Sequence, residues 1–462
     1  MSNIAGSKML FCLLNNKVSG GNRILLELAN RSLQANFDSS LCFLDRSVAP
    51  DWFDTHCKVV EPNAENFEKY DFVFAPNASL LPMLLQYIPR SKVILISQGF
   101  ESYCYGETIA ELFVPKKSIE NILKLDVPII STSESIQKLL EEQVGRASYL
   151  VPVAIERSQF PSSETADINQ TPKRILAVGN FRTRFKGILD LADALDILSK
   201  EVPVELVLLT QQNAGKNQFK SNQFPVEFHC DPPQSELAAI YASCHAYCCA
   251  SWYEGFGLPC LEAFSVGIPV VATQNLGVQE FARSNENILL ARPHSPDELA
   301  HQLRRALTDL DLRQRLVKNG RATAERYDWQ RTMTSFFTAL EQIKSSSAAS
   351  TMSSPSPAQS PAQLQTLLKD LENDGYYTPQ EVDSKLRWIS GELQALCAAI
   401  KAGDIQEVES KKTLATIRQH LQEHLQNPST NYYKEFKARY DFCQLLTTIE
   451  DPKEWQNLLK FS

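Results

Sequence analysis

Two glutamates, Glu254 and Glu262, stand eight positions apart in the segment ASWYEGFGLPCLEAFSVGIPVVAT. The apolar residues of Leu258–Val266 recur at the spacing of a short helix. Gly255 and Gly257 therefore lie in a loop that opens onto a helix N-terminus, where unpaired N–H groups can hold an anion. An anion site between two carboxylates that can bind hydroxyl groups suits a sugar joined to a nucleotide by a diphosphate.

This segment resembles the Glu-x7-Glu motif of the retaining glycosyltransferases of family 4, which have the GT-B fold. The resemblance extends to the residues between the carboxylates and to the following Gly-Ile-Pro-Val-Val-Ala-Thr. It implies that Glu254 holds hydroxyl groups of the donor sugar and that Glu262 binds ribose hydroxyls. It further implies that the residues between them line the donor site: Gly255, Phe256, Gly257 and Leu258. On spacing alone, an ordinary turn beside a solvated helix face is the alternative.

A second candidate group is the loop VGNFRTRFKG, which follows an apolar strand and presents Arg182, Arg184 and Lys186. Cations beside a helix start would neutralise a diphosphate leaving group, where charge develops as a glycosyl–phosphate bond breaks. A solvated basic loop is the alternative. Members of the resembled family carry Val-Gly-Arg and then Lys-Gly, of which Lys186 and its glycine match. Asn180 stands where the family has arginine, so either Arg182 or Arg184 would supply the second cation.

Four further residues, in three separate segments, are expected to bind the donor. Gly20 and Gly21 follow the first strand, where glycines let a backbone approach a ligand closely, and the family has a Gly-Gly loop that closes over the donor. Gln98 stands where many members have a histidine, and its surroundings resemble a subgroup that includes rhamnosyltransferase-like proteins. A polar transition from strand to loop is the alternative there. Glu280 belongs to a loop that resembles Gly-Gly-x-x-Glu with one glycine, and we expect it to face the site.

Composition narrows the function classes. A length of 462 residues indicates two or three domains, and 22% charged residues with a net charge of −8 describe a mildly acidic protein. Nothing in this balance favours nucleic-acid binding. The sequence has no apolar run of about 18 residues, so we expect no transmembrane helix. Its N-terminus is polar, so we expect no signal peptide. The expected location is cytoplasmic, with peripheral contact to a membrane left open.

The eleven cysteines are expected to be reduced core residues rather than a disulfide framework or a metal site. Cys244, Cys248 and Cys249 stand near His245, but their spacing fits no usual zinc pattern. Asp309-Leu310-Asp311 lies in a helical stretch, and a solvated helix face is the preferred interpretation. GT-B enzymes generally work without a bound metal, so no metal and no cofactor are expected apart from the nucleotide-sugar co-substrate.

Alternating strand and helix patterns predict an α/β fold with two Rossmann-like, doubly wound domains that face a cleft, followed by a C-terminal all-α module. The predicted boundaries are 1–160 for the N-terminal, acceptor-side domain, 161–172 for the link and 173–326 for the nucleotide-sugar domain. A helix at 327–344 resembles the GT-B crossover helix. Residues 345–362 are Ser-, Ala- and Pro-rich and predict a flexible linker, and 363–462 predict several helices. The family resemblance does not cover this last module.

The resemblance implies a hexosyl- or deoxyhexosyltransferase that moves a sugar from a nucleotide sugar to an acceptor hydroxyl, with retention, in glycan or glycoconjugate biosynthesis. The acceptor would be a saccharide, a lipid-linked glycan or a protein. One alternative is a catalytically weakened GT-B protein that acts as an adaptor through 363–462, by partner binding or self-association. A sugar-nucleotide epimerase is the other.

Overall fold

The computed structural model describes residues 3–100, 116–180, 183–211 and 223–350. Within these ranges the chain forms two β-sheets that belong to the same compact unit. Every strand pairing in both sheets is parallel, which requires helical crossovers between consecutive strands. The prediction of two Rossmann-like α/β domains is therefore confirmed.

The first sheet has seven strands in the described residues, in the order β3-β2-β1-β4-β5-β6-β7. The central strands are apolar on both faces, as expected for a parallel sheet covered by helices. Their bounds are β1 Lys8–Leu13, β2 Asp38–Phe43, β3 Lys58–Val59, β4 Phe72–Ala75, β5 Val93–Ser97, β6 Ile129–Ser131 and β7 Tyr149–Leu150. The helices in this part of the chain are α1 Gly20–Gln34, α2 Ala64–Glu68, α3 Leu81–Leu84, α4 Lys116–Leu123 and α5 Glu134–Leu139, which a π-helical turn continues over Leu140–Val144.

The second sheet has six strands in the part of the chain that the structure describes, in the order β10-β9-β8-β11-β12-β13. Their bounds are β8 Lys173–Val178, β9 Val204–Thr210, β10 Val226–Cys230, β11 Ala246–Cys249, β12 Val270–Thr273 and β13 Leu289–Ala291. The helices are α6 Ile188–Leu198, α7 Gln234–Ala242, α8 Leu258–Val266, α9 Leu276–Gln279, α10 Pro296–Thr308, α11 Leu310–Ala324 and α12 Trp329–Ser350.

Strand order reverses once in each sheet, between β1 and β4 and between β8 and β11. Ligands of open parallel sheets bind at the carboxyl ends of the strands beside such a reversal. In the second sheet, the loop that ends at Lys186 follows β8 and the loop that carries Glu254 follows β11. The topology therefore brings the basic loop and the glutamate loop side by side.

Helix α12 returns from the second domain to pack on the first. Asp328 caps it, because its Oδ1 accepts a hydrogen bond from the Arg331 N–H at 2.9 Å. The ring of Phe336 lies 5.4 Å from that of Phe74 on β4, and Phe337 stacks on Phe37 with ring centroids 4.9 Å apart. These buried aromatic contacts join the end of the second domain to the core of the first.

The helix α12 runs farther than the sequence analysis expected. It continues to Ser350, whereas the linker was predicted to begin at residue 345. The first proline after Lys344 is Pro355, and the intervening serines and alanines permit helix. The Ser345 hydroxyl also bonds back to the Glu341 carbonyl at 2.8 Å. The predicted helical module at 363–462 and the rest of the linker lie outside the described residues.

Candidate functional site

Lys186 and Glu254 form an ion pair at the strand reversal of the second sheet, with 2.8 Å between Nζ and Oε1. The Ser251 hydroxyl donates to the same carboxylate oxygen at 2.6 Å. The two side chains are only 28% and 16% exposed, so solvent screens the pair weakly. Both contacts fall on Oε1, so in the described part of the chain Oε2 keeps its lone pairs for a ligand hydroxyl.

Two glycines allow the loops of the site to lie this close. Gly187 has a φ of +62°, and a Cβ on it would lie 2.0 Å from the Ala250 carbonyl oxygen at the end of β11. A Cβ on Gly255 would lie 1.9 Å from the carbonyl oxygen of Gln98. Gly187 thus allows the basic loop to pack against the end of β11 in the same sheet. Gly255 allows the glutamate loop to pack against the end of β5 in the other domain.

Gly20 and Gly21, which were predicted in a loop but are the first two residues of α1, complete this junction from the first domain. A Cβ on Gly21 would lie 3.5 Å from the side-chain amide of Gln98, and one on Gly20 would lie 3.9 Å from Cδ1 of Leu258. The start of α1 therefore lies close to Gln98 and Leu258, near the glutamate loop that contacts Lys186. Of the predicted site residues, the structure brings together Lys186, Glu254, Gly255, Leu258, Gln98, Gly20 and Gly21.

The N-termini of α1 and α8 meet at this junction. Ser19 caps α1 by accepting from the Asn22 N–H at 3.0 Å, but the first two N–H groups, those of Gly20 and Gly21, precede any intrahelical acceptor. Helix α8 begins after Gly257, whose φ is +92°, and has no side-chain cap. Because Leu258 lies beside Gly20, both positive helix ends point into one region, which favours a bound anion.

Glu262 lies one turn along α8 from Leu258 and is 12% exposed. Its Oε1 is 3.4 Å from Nη1 of Arg23, and its Oε2 accepts from the Tyr241 hydroxyl at 2.7 Å. Burial raises the pKa of this carboxyl above its ordinary value, although Arg23 and the Tyr241 hydrogen bond both act to lower it. The carboxylate thus lies where α1 of the first domain meets α7 and α8 of the second.

Two predicted donor-binding residues have other contacts. The ring of Phe256 is buried and packs edge-on against Tyr327 with centroids 5.4 Å apart, so only its backbone is available at the loop. Glu280 binds the N-terminus of α5 in the first domain. Its carboxylate accepts from the N–H groups of Glu134 at 2.9 Å and Ser135 at 3.3 Å. These N–H groups lack intrahelical acceptors, which is why a carboxylate from the other domain fits there.

The side chains of the two other predicted cations lie outside the part of the chain that the structure describes. Arg182 lies outside the described residues, and Arg184 belongs to a single 3-10 turn, Arg184–Lys186, with only its backbone described. The choice between these two arginines therefore stays a prediction. Among the three predicted cations, Lys186 is the one for which the described residues include a side-chain contact at the site, the ion pair with Glu254.

Four residues at the site had no role predicted from the sequence. These are Ser251 on Glu254, Arg23 and Tyr241 on Glu262, and Tyr253, whose hydroxyl accepts from the Phe100 N–H. Ser251 and Tyr253 flank the motif, and Arg23 follows the Gly-Gly loop, so proximity to a motif was an available signal. Tyr241 lies among the apolar residues of α7, and nothing in the sequence near it indicated a role at the site.

The alternative ligand candidates have structural roles. His245 is fully buried, with Nδ1 accepting from the Arg174 N–H at 2.9 Å and Nε2 3.0 Å from the Asp167 carbonyl. Burial lowers its pKa. Asp309 caps α11 by accepting from the Leu312 N–H at 3.0 Å. Cys244, Cys248 and Cys249 are buried free thiols. Among the described residues, none of these forms a cluster suited to a metal ion.

Residues 159–323, which hold most of the second domain, match the family model described as glycosyl transferases group 1. An MMP alpha-(1->4)-mannosyltransferase from Mycolicibacterium hassiacum is 32% identical over 39% of this chain and 45% of its own. A D-inositol 3-phosphate glycosyltransferase from Corynebacterium jeikeium is 25% identical over 47% and 58% of the two chains. The chain spans about half the length of these curated relatives.

Solved structures match more of the chain. Sucrose-phosphate synthase from Thermosynechococcus elongatus superposes with a TM-score of 0.59 at 19% identity, covering 74% of this chain and 100% of its own. Anabaena HepE in complex with UDP-glucose gives 0.58 at 19% identity, over 73% and 100% of the two chains. The protein therefore has the GT-B fold, and residues 159–323 are similar to the group 1 glycosyl transferases. In the described residues, no helix is both long and apolar enough to cross a membrane.

Proposed function

We propose that this protein transfers a hexosyl or deoxyhexosyl group from a nucleotide sugar to an acceptor hydroxyl, with retention at the anomeric carbon. The observation that carries this proposal is the Lys186–Glu254 pair, held beside the N-termini of α1 and α8 at the junction of the two domains. A cation, two helix ends and a hydroxyl-binding carboxylate are the groups that a sugar diphosphate requires.

The reaction would begin with cleavage of the bond between the anomeric carbon and the diphosphate oxygen. The electron pair leaves with the diphosphate, and Lys186 and the helix N-termini stabilise that charge more in the transition state than before it. Arg182 or Arg184 would add a second cation. The departing phosphate oxygen then takes the proton of the incoming acceptor hydroxyl, which attacks from the same face. Attack on that face gives retention without a protein nucleophile.

Glu254 would hold a hydroxyl of the transferred sugar through Oε2 while Lys186 stays on Oε1. This arrangement couples sugar binding to the cation that faces the diphosphate. Glu262, farther along α8, would bind ribose hydroxyls of the nucleotide. The neighbour bound to UDP-glucose supports a nucleotide-sugar donor in this fold.

The acceptor would approach from the first domain, and a saccharide, a lipid-linked glycan and a protein are all suited to an open cleft. Positive charge at the diphosphate comes from side chains and helix ends in this proposal. We therefore expect activity to survive treatment with a chelator such as EDTA, with no added metal or cofactor.

The test is transfer to water or to a mixed glycan acceptor from UDP-, GDP-, dTDP- and ADP-sugars. Proton NMR of the first sugar released reports its anomeric configuration. We expect one nucleotide class to react, and the first product to keep the donor's configuration. Inverted product would contradict retention, and interconversion of the donor sugar without transfer would identify an epimerase.

A further inference from the structure

One guanidinium joins three separate parts of the chain at the cleft. Arg23 lies in the first turn of α1, and its Nη1 contacts Glu262 of the second domain at 3.4 Å. Its Nη2 donates to the Gln159 side-chain oxygen in the segment that connects the domains. The guanidinium carbon lies 5.6 Å from the centre of the buried Phe160 ring. Arginine's planar fork is suited to holding several partners at once.

Among the described residues, the side-chain partners of the Glu262 carboxylate do not use all of its hydrogen-bonding positions. An ionised carboxylate offers about four lone-pair positions. Arg23 uses Oε1 and the Tyr241 hydroxyl uses Oε2, one contact on each oxygen. The remaining positions can accept two hydroxyl groups, which is what the adjacent 2′ and 3′ hydroxyls of a ribose present. The two contacts therefore orient the carboxylate without filling it.

We infer that Arg23 is a positioning residue, which holds the ionised Glu262 carboxylate across the domain junction so that it selects a ribose diol. This inference rests on the proposed function, because it concerns the nucleotide of the same donor. Two features make Arg23 suited to the task. It lies in the first turn of the helix that begins with Gly20 and Gly21, and its opposite charge favours the carboxylate form that burial disfavours.

A blocking role for Arg23 and a positioning role predict opposite changes in nucleotide affinity when Arg23 is removed. If Arg23 occupied the place of the ribose, its removal would open the site and tighten nucleotide binding. If Arg23 positions the carboxylate, its removal weakens binding, and the loss is confined to nucleotides that carry the hydroxyls. Discrimination between ribose and deoxyribose therefore distinguishes positioning both from blocking and from a general loss of stability.

The experiment is calorimetric titration with UDP, GDP and ADP and with their 2′-deoxy and 3′-deoxy counterparts. Wild type, Arg23→Met, Arg23→Lys and Gln159→Ala are compared, with Glu262→Gln as the reference for a lost carboxylate. Arg157→Ala is the matched control, because Arg157 belongs to the same connecting segment and pairs with Glu325 at 3.8 Å. Melting temperatures are measured for each variant.

For the ribonucleotide that binds wild type, we expect a preference of about tenfold or more over a deoxy analogue, the range for a hydrogen bond to a charged group. Arg23→Met should bring this ratio close to that of Glu262→Gln, Gln159→Ala should lower it in part, and Arg23→Lys should restore some of it. Arg157→Ala should keep the wild-type ratio. Gln159 is exposed, so its variant supplies the test even if Arg23→Met does not fold.

Three results would overturn the inference. Discrimination equal to wild type in both Arg23→Met and Gln159→Ala would give Arg23 a structural role alone. Tighter nucleotide binding by Arg23→Met would show that Arg23 occupies the ribose site in the wild type. Failure of wild type to bind any nucleotide would also remove the proposed function, whereas the first two results leave the proposed function intact.

Discussion

Substitution of Gly255 by alanine tests the contact that closes the two domains over the site. A Cβ at this position would lie 1.9 Å from the Gln98 carbonyl oxygen, and real Cβ atoms essentially never come closer than 3.0 Å to a neighbour. The glutamate loop must therefore move by about 1 Å or more, the difference between these two distances. The obstacle is backbone at the end of β5, so no side-chain rotation can relieve it.

The expected cost has two parts. Overpacking of a close contact typically lowers stability by about 1–3 kcal/mol. A displacement of about 1 Å in a reacting group can lower the rate about a hundredfold. The carboxylate of the neighbouring Glu254 would be displaced with the loop, so we expect a loss of kcat on this scale. Donor-dependent release of nucleoside diphosphate measures the rate, and calorimetry measures the melting temperature.

Gly20→Ala is the matched stability control, because its Cβ would meet only Leu258 at 3.9 Å, an ordinary contact. It places the same methyl group in the same cleft without a clash. We expect an unchanged or slightly higher melting temperature, since alanine favours helix over glycine. A Gly255→Ala variant with the rate and melting temperature of wild type would refute the reasoning about the domain contact.

The remaining predictions concern single side chains. Lys186→Ala should lower kcat about a hundredfold, or ~3 kcal/mol of barrier, because one charge at the leaving group is lost; near-wild-type kcat would remove Lys186 from the mechanism. Gly20→Ala should weaken nucleotide binding although the fold has room for the methyl group, because a ligand phosphate approaches that backbone; unchanged affinity in titration calorimetry would argue against a phosphate there. Glu262→Gln should gain stability relative to wild type as pH rises. Burial raises the folded-state pKa of Glu262, so its contribution to wild-type stability is full below the ordinary pKa and is lost as pH rises through the raised one. Melting curves from pH 4 to 8 test this, and a stability difference that does not change with pH would contradict it.

Much of the site could be predicted because it depends on local pattern and on topology. Alternating apolar runs predicted the two parallel sheets, and the loops after β8 and β11 meet because strand order reverses there. The pairing of Lys186 with Glu254 follows from that geometry. The start of α1 at Gly20 lies beside the start of α8 for a similar reason, since each of these helices follows the carboxyl end of a strand next to the reversal in its sheet.

The contacts between the domains could not be predicted in this way. Arg23 and Glu262 are 239 positions apart, and no periodicity in the sequence relates them. We expected Glu280 to face the donor. In the structure its carboxylate caps the N-terminus of α5 at Glu134, a contact that the sequence could not predict because the two residues are 146 positions apart. The Phe256 ring is directed into the core by packing against Tyr327, which a motif alone does not reveal.

The end of α12 was placed too early for a different reason. Serine and alanine were interpreted as a linker composition, but in the absence of proline or glycine they can continue a helix that is already packed. A segment rich in serine and alanine predicts a linker well only where it also contains proline or glycine, which break a helix. The prolines from Pro355 onward provide that signal, and they lie outside the described residues.

The proposed mechanism requires that a nucleotide sugar binds at the junction of Lys186, Glu254 and the two helix N-termini. The most direct measurement is a thermal-shift titration of wild type and Lys186→Ala with UDP-, GDP-, dTDP- and ADP-sugars. A donor at about a hundred times its Kd should stabilise wild type by ~2.7 kcal/mol. We predict that one nucleotide class stabilises wild type and has much less effect on Lys186→Ala. Well-folded wild type that responds to none of the donors, or a variant that responds equally, would contradict the account.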